Sequence, residues 1–539
     1  MPGAFRWAVV IGMAGTIGHA QEHQHASPEQ LGRVHFATSC SAAAQQTFDR
    51  SIALLHSFDF GRAIDGFERT FTEDGSCAIA GWGIALSRWN NPFAAGVKPP
   101  AQVRLGRDAI QRARAAGAKT GREREYIDAA AKLFDDADRI DQPARVTAYR
   151  DAMAAVAARY PDDGEATIFY ALALAFSADP ADKRYAQQLK AGAMLERLFA
   201  AQPDHPGLAH YIIHTYDVPP LADRGLEAAR RYARLAPSAP HALHMPSHTF
   251  TRVGYWQESI DTNIAAAKSA REAGATGEEL HASDYQMYAF LQTAQDRAAR
   301  QLLDSLPAMV DRYDPAGNNG AAPPAAAFFA IAAMPARYAL ERGAWREAAS
   351  LTPRSSPFAF ADAITHFARA LGAARLGDAS AAQAAVAKFG PLRETLAAAG
   401  EAYWAEQVAI QEQVASAWLA LAAGRREAAL TDMRAAADRE DATEKNAVTP
   451  GPLAPARELL GDMLMELKAP DQALTAYEAV LKKEPNRFRA VYGAAHAGAA
   501  LGNRAAARLH FRELIRICAR AEAPPRRELA EARRFVSAR

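Results

Sequence analysis

The sequence predicts an all-α protein, built as a superhelical solenoid of helix-turn-helix repeats. Apolar residues recur with the period of an amphipathic helix along most of the chain, and strand-like alternation is scarce. A pattern of small and aromatic residues also returns at about 34 residues, the period of a two-helix repeat. At that period the chain accommodates roughly ten to twelve helix pairs. Stacked repeats of this kind bury one continuous core and leave a curved concave surface.

Composition supports a folded chain and excludes several classes of partner. Hydrophobic residues make up 50% of the 539 residues and charged residues 23%, which excludes a disordered or fibrous protein. The 62 Lys and Arg residues nearly cancel the 61 Asp and Glu residues. Because no basic excess is available to neutralise phosphates, nucleic acid is not expected as a partner.

Residues 1–20 have the features of a cleaved secretory signal peptide. Arg6 is the only charge before an apolar run from Trp7 to Gly18, and Gly18-His19-Ala20 is small at its first and third positions. No later segment has the length and apolar character of a membrane span. We therefore expect an exported protein, periplasmic or secreted.

Three cysteines are too few for a disulfide scaffold or a cysteine-based zinc finger. In an oxidising compartment Cys40 and Cys77 could pair, although spacing alone does not decide this. Cys518 lies in the apolar run of Leu514 and Ile517, which indicates a buried thiol.

The repeats are clearest near the C-terminus. A 34-residue repeat has characteristic positions for a small residue, a core residue, a closely packed residue, an aromatic residue and a helix-ending residue. In this order they are occupied by Gly461, Leu464, Ala473, Tyr477 and Pro485. Related patterns occur at Gly254-Tyr255-Trp256, Gly343-Ala344-Trp345, Phe60 to Phe67 and Gly424 to Ala429.

These patterns are similar to the tetratricopeptide repeat (TPR) superfamily. More narrowly, the chain resembles a largely uncharacterised family of exported bacterial TPR proteins with HxxxH and HxxHxxxH motifs. The stretches that carry the resemblance are LLHSFDFGRAIDGF from Leu54, CAIAGWGIALSRWNNPF from Cys77, HPGLAHYIIHTYD from His205, HALHMPSHTFTRVGYW from His241 and EDATEKNAVTPGPLAPARELLGDML from Glu440. Asn446-Ala447 stands where the family would have a His-Pro pair, so any role of a histidine there is absent. The resemblance implies a protein-binding scaffold and little about activity.

Nothing divides the chain sharply, but two stretches rich in Pro and Gly, at 315–324 and 449–455, are expected to be a long inter-repeat loop and a break before the C-terminal repeats. The predicted organisation is a signal peptide (1–20), a polar segment (21–43), an N-terminal TPR-like solenoid with the histidine cluster (44–314), a loop (315–325), middle TPR-like repeats (326–448) and C-terminal TPR repeats (449–539).

Histidines are concentrated in one part of the chain. Six of the fifteen lie between His205 and His248, where an even spread would place about one. His210 and His214 are four residues apart and share one helical face. Spacings of three and four place His241, His244 and His248 on one face of another helix.

The two groups are in phase with the repeat, because 34 residues separate His210 from His244 and His214 from His248. Equivalent helices of neighbouring repeats pack about 8–10 Å apart, and the resemblance places this face on the concave groove. These four imidazoles should form one patch. Two ligands from each of two packed helices can hold a metal ion, and His241 is a fifth candidate ligand.

The next repeat carries residues that fall level with the histidines. After an insertion at Gly274–Glu279, His281 aligns with His241, Asp284 with His244, and Tyr288 with His248. A carboxylate here can neutralise a cation, accept a ring N–H or act as a base, and an arginine can hold an anion. The candidate ligand-binding residues are Arg252, His281 and Asp217, and the candidate catalytic residues are Asp284 and Tyr288.

Imidazole ligands suit zinc, copper, iron or nickel, and spacing does not choose among them, although the scarcity of nearby sulfur disfavours Cu(I). The zinc protease pattern H-E-x-x-H is missing, because Tyr211 to Ile213 separate the two histidines of the first pair. A hydrolytic base would have to come from another repeat, such as Asp284 or Glu165. His56 is expected to be structural, since it lies far away in the array.

Two hypotheses about function follow. The first is an exported scaffold that binds a protein or peptide and carries a divalent-metal site on its concave face, with zinc, copper or iron as the candidate ion. The alternative is a metal-dependent enzyme, a hydrolase or an oxidoreductase, that uses the same site. A polar groove that binds peptides through its histidines without a metal is the competing interpretation of the cluster.

Overall fold

A computed structural model describes residues 29–94, 96–317 and 319–538 of the chain. The predicted signal peptide, residues 1–20, lies outside the described residues. Within these ranges all regular secondary structure is helical and no strand forms. The predicted all-α solenoid of helix-turn-helix repeats is confirmed.

The helices of the described residues are numbered in chain order: α1 (Ala42–His56), α2 (Phe60–Glu73), α3 (Ile79–Trp89), α4 (Pro100–Ala116), α5 (Gly121–Ala131), α6 (Gln142–Arg159), α7 (Gly164–Phe176), α8 (Ala186–Ala201), α9 (Pro206–Thr215), α10 (Leu226–Leu235), α11 (Pro240–His244), α12 (Pro246–Arg252), α13 (Trp256–Glu272), α14 (Thr276–Gln292), α15 (Asp296–Arg312), α16 (Pro324–Glu341), α17 (Trp345–Ala349), α18 (Ala359–Arg375), α19 (Ala379–Val386), α20 (Phe389–Ala398), α21 (Ala402–Ala422), α22 (Arg426–Ala442), α23 (Ala456–Glu466), α24 (Pro470–Lys483), α25 (Phe488–Ala500), α26 (Arg504–Ile517) and α27 (Arg527–Ser537).

Neighbouring helices pack as pairs joined by short turns, and the first helix of most pairs also packs against the first helix of the next pair. This arrangement is the stacking of a solenoid. The pairs are α1/α2, α3/α4, α5/α6, α7/α8, α9/α10, α11–α12/α13, α14/α15, α16/α17, α18/α19–α20, α21/α22, α23/α24 and α25/α26.

The repeat pattern in the sequence corresponds to the turns and contacts of these pairs. Gly254 and Gly343, each just before the second helix of a pair, have φ of 70° and 61°, a conformation that glycine adopts without strain. At Gly461 an added Cβ would lie 2.7 Å from the ring of Tyr477. The small residue of the pattern is therefore required where the aromatic ring packs against the neighbouring helix.

The C-terminal repeats pack against helices from the middle of the chain. The indole N–H of Trp256 donates to the carbonyl of Asn486 at 2.8 Å, and α14 packs against α25. Arg487 joins these parts through a fully buried network. Its guanidinium contacts Glu341 at 2.5 Å, Glu458 at 2.7 Å and the hydroxyl of Tyr288 at 2.8 Å.

A loop between α22 and α23 extends into the solenoid, and we call residues 443–455 the covering loop. Its backbone carbonyls at 447 and 449 accept the hydroxyl proton of Tyr285 at 3.2 and 3.0 Å. Arg337 donates to the carbonyls of Gly451 and Pro452, both at 2.9 Å. The predicted boundary between residues 448 and 449 falls inside this loop, and the predicted loop 315–325 separates α15 from α16.

None of the helices in the described part of the chain is long and apolar enough to cross a membrane. Cys518 is a free, buried thiol, as predicted.

Cys40 and Cys77 form a disulfide, which closes a loop of 37 residues around the first helix pair. Replacing both cysteines by alanine should lower the free energy of unfolding by about 4 kcal/mol, because the open loop gains conformational freedom in the unfolded chain. Chemical denaturation of the variant and of the wild type measures this difference. Cys518→Ala is the control for loss of a sulfur atom, and an equal loss of stability in that control would contradict the prediction.

Candidate metal centre

Six histidine side chains form one continuous row inside the solenoid, which we call the histidine ladder. They come from the first helices of three successive pairs, α9, α11–α12 and α14, and each is at most 7% exposed. Its members are His210, His214, His241, His244, His248 and His281. Pro246, which has no backbone N–H, separates α11 from α12 in the middle of the row.

The ladder consists of two groups of three. His210, His214 and His241 form the first triad, and His244, His248 and His281 form the second triad. In each triad one ligand atom per residue lies within 4.8 Å of the other two. The triads adjoin, since the ring centroids of His214 and His248 are 5.7 Å apart and those of His241 and His244 are 6.0 Å apart.

This grouping differs from the predicted patch of His210, His214, His244 and His248. The ring of His210 lies 5.1 Å from that of His241, which precedes His244 by about one turn. Neighbouring helices are therefore staggered by about a turn here, and equal spacing in sequence does not place equivalent residues side by side. The stagger brings His241 into the first triad and His281 into the second.

The first triad presents three ring nitrogens without partners. His210 Nδ1 donates to the carbonyl of His56 at 2.6 Å, and His241 Nδ1 donates to Glu278 Oε1 at 2.9 Å. Nε2 of His210, His214 and His241 is buried and finds no hydrogen-bond partner among the described residues. Since imidazoles that bind metals normally donate their other N–H to a carbonyl or carboxylate, the contacts of His210 and His241 are those of metal ligands.

Two aromatic rings separate the first triad from solvent. Phe58 packs edge-on against His210, with ring centroids 4.3 Å apart, and Phe93 stacks on His214 at 4.2 Å. Phe58 has φ of 55°, a left-handed conformation that is uncommon for a bulky residue and that is held here by the surrounding packing. Aromatic rings therefore cover the His210 and His214 sides of the first triad.

Burial favours the neutral form of five of the six imidazoles of the ladder. It lowers the pKa of His210, His214, His244 and His281 well below the usual value, and the neighbouring histidines lower it further. Burial also lowers the pKa of His248 to about 4, against the opposing effect of Asp217. Neutral imidazole is the form that binds a metal.

The second triad is oriented by polar neighbours. His244 Nδ1 contacts Asn263 Oδ1 at 2.8 Å, and His248 Nδ1 contacts Asp217 Oδ2 at 2.9 Å. The Nε2 atoms of these two rings face each other at 3.1 Å. His281 lies beside them, with its ring centroid 4.5 Å from that of His244.

Asp217 connects the second triad to the covering loop. Besides His248, its carboxylate contacts Arg252 Nε and Lys445 Nζ, both at 2.8 Å. Burial alone would raise the pKa of Asp217, but the charges of Lys445 and Arg252 and the bond from His248 hold that pKa well below its usual range. Asp217 and Arg252 therefore position a histidine and the loop.

A third cluster lies behind the first triad. Glu165 accepts from His56 Nε2 at 3.0 Å and from His205 Nε2 at 2.8 Å, while His56 Nδ1 contacts the hydroxyl of Tyr211. His56 is thus close to the ladder, contrary to the expectation that it lies far away. Because these side chains already satisfy one another, we assign the cluster to support of the first triad. Glu165, a possible hydrolytic base in the sequence analysis, is hydrogen-bonded to these two histidines.

The predicted catalytic candidates have other partners. Asp284 forms a buried ion pair with Arg337, at 2.9 Å, and Tyr288 contacts Arg487 and Glu484. A catalytic role for either stays a prediction. The hydroxyl of Tyr285, by contrast, lies 3.4 Å from His248 Nδ1.

Two cavities border the site. One of about 290 Å³ is lined by Arg62, His241 and Glu278 and offers a path to the first triad. The other, of about 70 Å³, lies against the covering loop between Arg252, Lys445 and Trp404. The covering loop therefore lies against the ladder at Tyr285 and lines the smaller cavity.

Several contributing residues are not evident from the sequence. Glu278 lies in the insertion that separates two repeats, and Asn263 lies on the second helix of a pair. The one sequence signal for Glu278 is a glutamate close to His281 at the start of a helix. That signal does not indicate which histidine the glutamate contacts.

Glu278→Gln should weaken metal binding by about 10- to 100-fold, because a carboxylate that accepts the Nδ1 proton of His241 makes the ring a better ligand. Competition with a chromophoric zinc chelator measures the affinity. Glu272→Gln, an exposed change on α13, is the matched control. Equal affinities for both variants and the wild type would contradict the assigned role of Glu278.

No model of a known protein family matches the chain, and no curated protein matches it. Among solved structures, the chain is similar to the human IFIT1 dimer with m7Gppp-AAAA, at 10% identity and a TM-score of 0.38, covering 89% of this chain and 98% of that chain. It is also similar to the TPR domain of P58(IPK), at 15% identity and a TM-score of 0.21, covering 69% and 98%. Because these TM-scores are low, the solenoid fold is assigned from the helix packing of the chain itself.

Proposed function

We propose that this protein is an exported helical-repeat protein whose histidine ladder binds a divalent transition-metal ion. The observation that carries the proposal is the first triad, where each buried Nε2 has no partner within the described residues and one ring nitrogen from each histidine lies within 4.8 Å of the other two. Unsatisfied polar atoms in a protein interior are costly. A cation at this position would satisfy all three at once.

The ligand set limits which ion is expected. Three imidazoles suit zinc, copper or iron, whereas magnesium and calcium require oxygen ligands. A structural zinc site normally has four protein ligands, and a site with three leaves a position for water or another molecule. The three-histidine set therefore supports an ion that retains an exchangeable position.

Export is supported by two separate features. Residues 1–20 have the composition of a secretory signal, and the Cys40–Cys77 disulfide is typical of proteins in oxidising compartments. The resemblance to exported bacterial TPR proteins agrees with both. The compartment would be the periplasm or the exterior.

A scaffold that captures a protein or peptide partner is the proposed context for this metal. The covering loop occupies the groove at the ladder, so a peptide would not lie across the histidines unless the loop moved. The alternative, a hydrolase or an oxidoreductase, is favoured by the cavity that reaches His241. Because neither Asp284 nor Tyr288 faces the ladder, an enzyme would need another acid or base.

Elemental analysis of the purified protein tests metal binding. The wild type should retain about one or two ions of zinc, copper or iron per molecule, because the ladder contains two triads and each can hold one ion. His214→Ala combined with His248→Ala should remove them, since each triad then loses a ligand. His366→Ala, which changes an isolated histidine on α18, should retain them. A wild-type protein that stays empty after zinc or copper is added would contradict the proposal.

A further inference from the structure

We infer that the histidine ladder is a two-ion centre, in which the first and second triads each hold one transition-metal ion. This inference rests on the proposed function, because it assumes that the ladder binds metal at all. It adds a second, separate position, made by His244, His248 and His281. The contacts of those three residues carry it.

The second triad contains two lone pairs that face each other. Asn263 Nδ2 donates to the carbonyl of Ser259 at 2.7 Å, which fixes Asn263 Oδ1 as the acceptor of the His244 Nδ1 proton. The carboxylate of Asp217 likewise accepts from His248 Nδ1. Since each neutral ring carries its proton on Nδ1, each presents a lone pair at Nε2.

Those two Nε2 atoms are 3.1 Å apart, with no proton available between them in the neutral state. Two acceptors at this distance repel each other. A metal at about 2.0–2.1 Å from each ring nitrogen holds neighbouring ligands roughly 3 Å apart, so the observed separation is that of two ligands of one ion.

His281 completes the set from another helix. Its Nδ1 is buried and has no hydrogen-bond partner within the part of the chain that the structure describes. One ring nitrogen from each of the three residues lies within 4.8 Å of the others. The second triad therefore offers three ring nitrogens, and Asn263 and Asp217 orient two of the three rings from their far sides.

The triads are close enough for their ions to interact. The nearest rings of the two triads, those of His214 and His248, are 5.7 Å apart. Two divalent ions about one helical turn apart repel each other. We therefore expect two binding steps of unequal affinity, with magnetic interaction between the ions after the second step.

Titration of the metal-free protein with Cu(II), followed by electron paramagnetic resonance, tests this inference. The wild type should bind two ions per molecule. The first should give the spectrum of an isolated Cu(II) ion, and the second should broaden or remove that signal. His244→Ala with His281→Ala should bind one ion whose signal stays isolated, and so should His210→Ala with His241→Ala.

The number of ions that the wild type binds distinguishes the two-ion centre from the proposed function. A wild type that binds one ion overturns the two-ion centre and leaves the proposed function standing. A wild type that binds none overturns both. Because the wild-type titration alone decides, a variant that fails to fold does not prevent a result. His366→Ala should bind two ions, and retention of two ions by the folded second-triad variant would also overturn the inference.

Discussion

Each zinc ion bound by the ladder should stabilise the metal-free protein against unfolding by about 4 kcal/mol when free zinc is a thousandfold above the Kd of that site. The physical reason is that the ligand geometry exists only in the folded solenoid, where three helices bring the nitrogens together. A bound ion therefore favours the native state by its full binding free energy. Chemical denaturation with and without zinc, and with a chelator, measures the change.

The part of the zinc stabilisation that comes from the first triad should disappear when that triad is removed. In His210→Ala with His214→Ala, the remaining ring of His241 cannot hold an ion in that triad, and any residual effect reports the second triad. His366→Ala should respond as the wild type does. If zinc leaves the unfolding of the wild type unchanged, the histidines have a structural role without metal.

Arg487→Leu should lower the free energy of unfolding by about 3–5 kcal/mol, because it leaves buried carboxylates without their partner. Arg487 is fully buried and contacts Glu341 and Glu458, which come from α16 and α23. Removing the guanidinium leaves both carboxylates away from water. The loss is measured by urea denaturation at neutral pH.

An exposed ion pair provides the control for this change. Arg516 pairs with Glu513 on the surface of α26, and Arg516→Ala should cost less than about 1 kcal/mol. The difference between the two variants measures the effect of burial. A loss below 1 kcal/mol for Arg487→Leu would mean that the network does not hold the C-terminal repeats to α14 and α16.

The sequence is sufficient to predict the fold because the repeat is a local pattern. Small residues such as Gly461 and aromatic residues such as Tyr477 recur with the period of one helix pair, and each pair contacts mainly its neighbours. The histidine spacing likewise places His244 and His248 on one helical face. These inferences need only distances along the chain.

The detailed grouping of the histidines depends on information that spacing does not contain. The stagger between α9 and α11–α12 sets which ring meets which, and it joins His210 to His241. The partner of Asp284 is Arg337, 53 residues away, and the covering loop arrives from more than 150 residues further along the chain than His281. Such contacts follow from the curvature of the solenoid.

X-ray absorption at the metal edge of the zinc- or copper-loaded protein tests the central claim most directly. The histidine ladder predicts a shell of nitrogen ligands at about 2.0–2.1 Å, with the outer scattering typical of three imidazole rings per ion. His366→Ala should give the same spectrum. A shell dominated by oxygen or sulfur, without imidazole scattering, would contradict metal binding by the ladder.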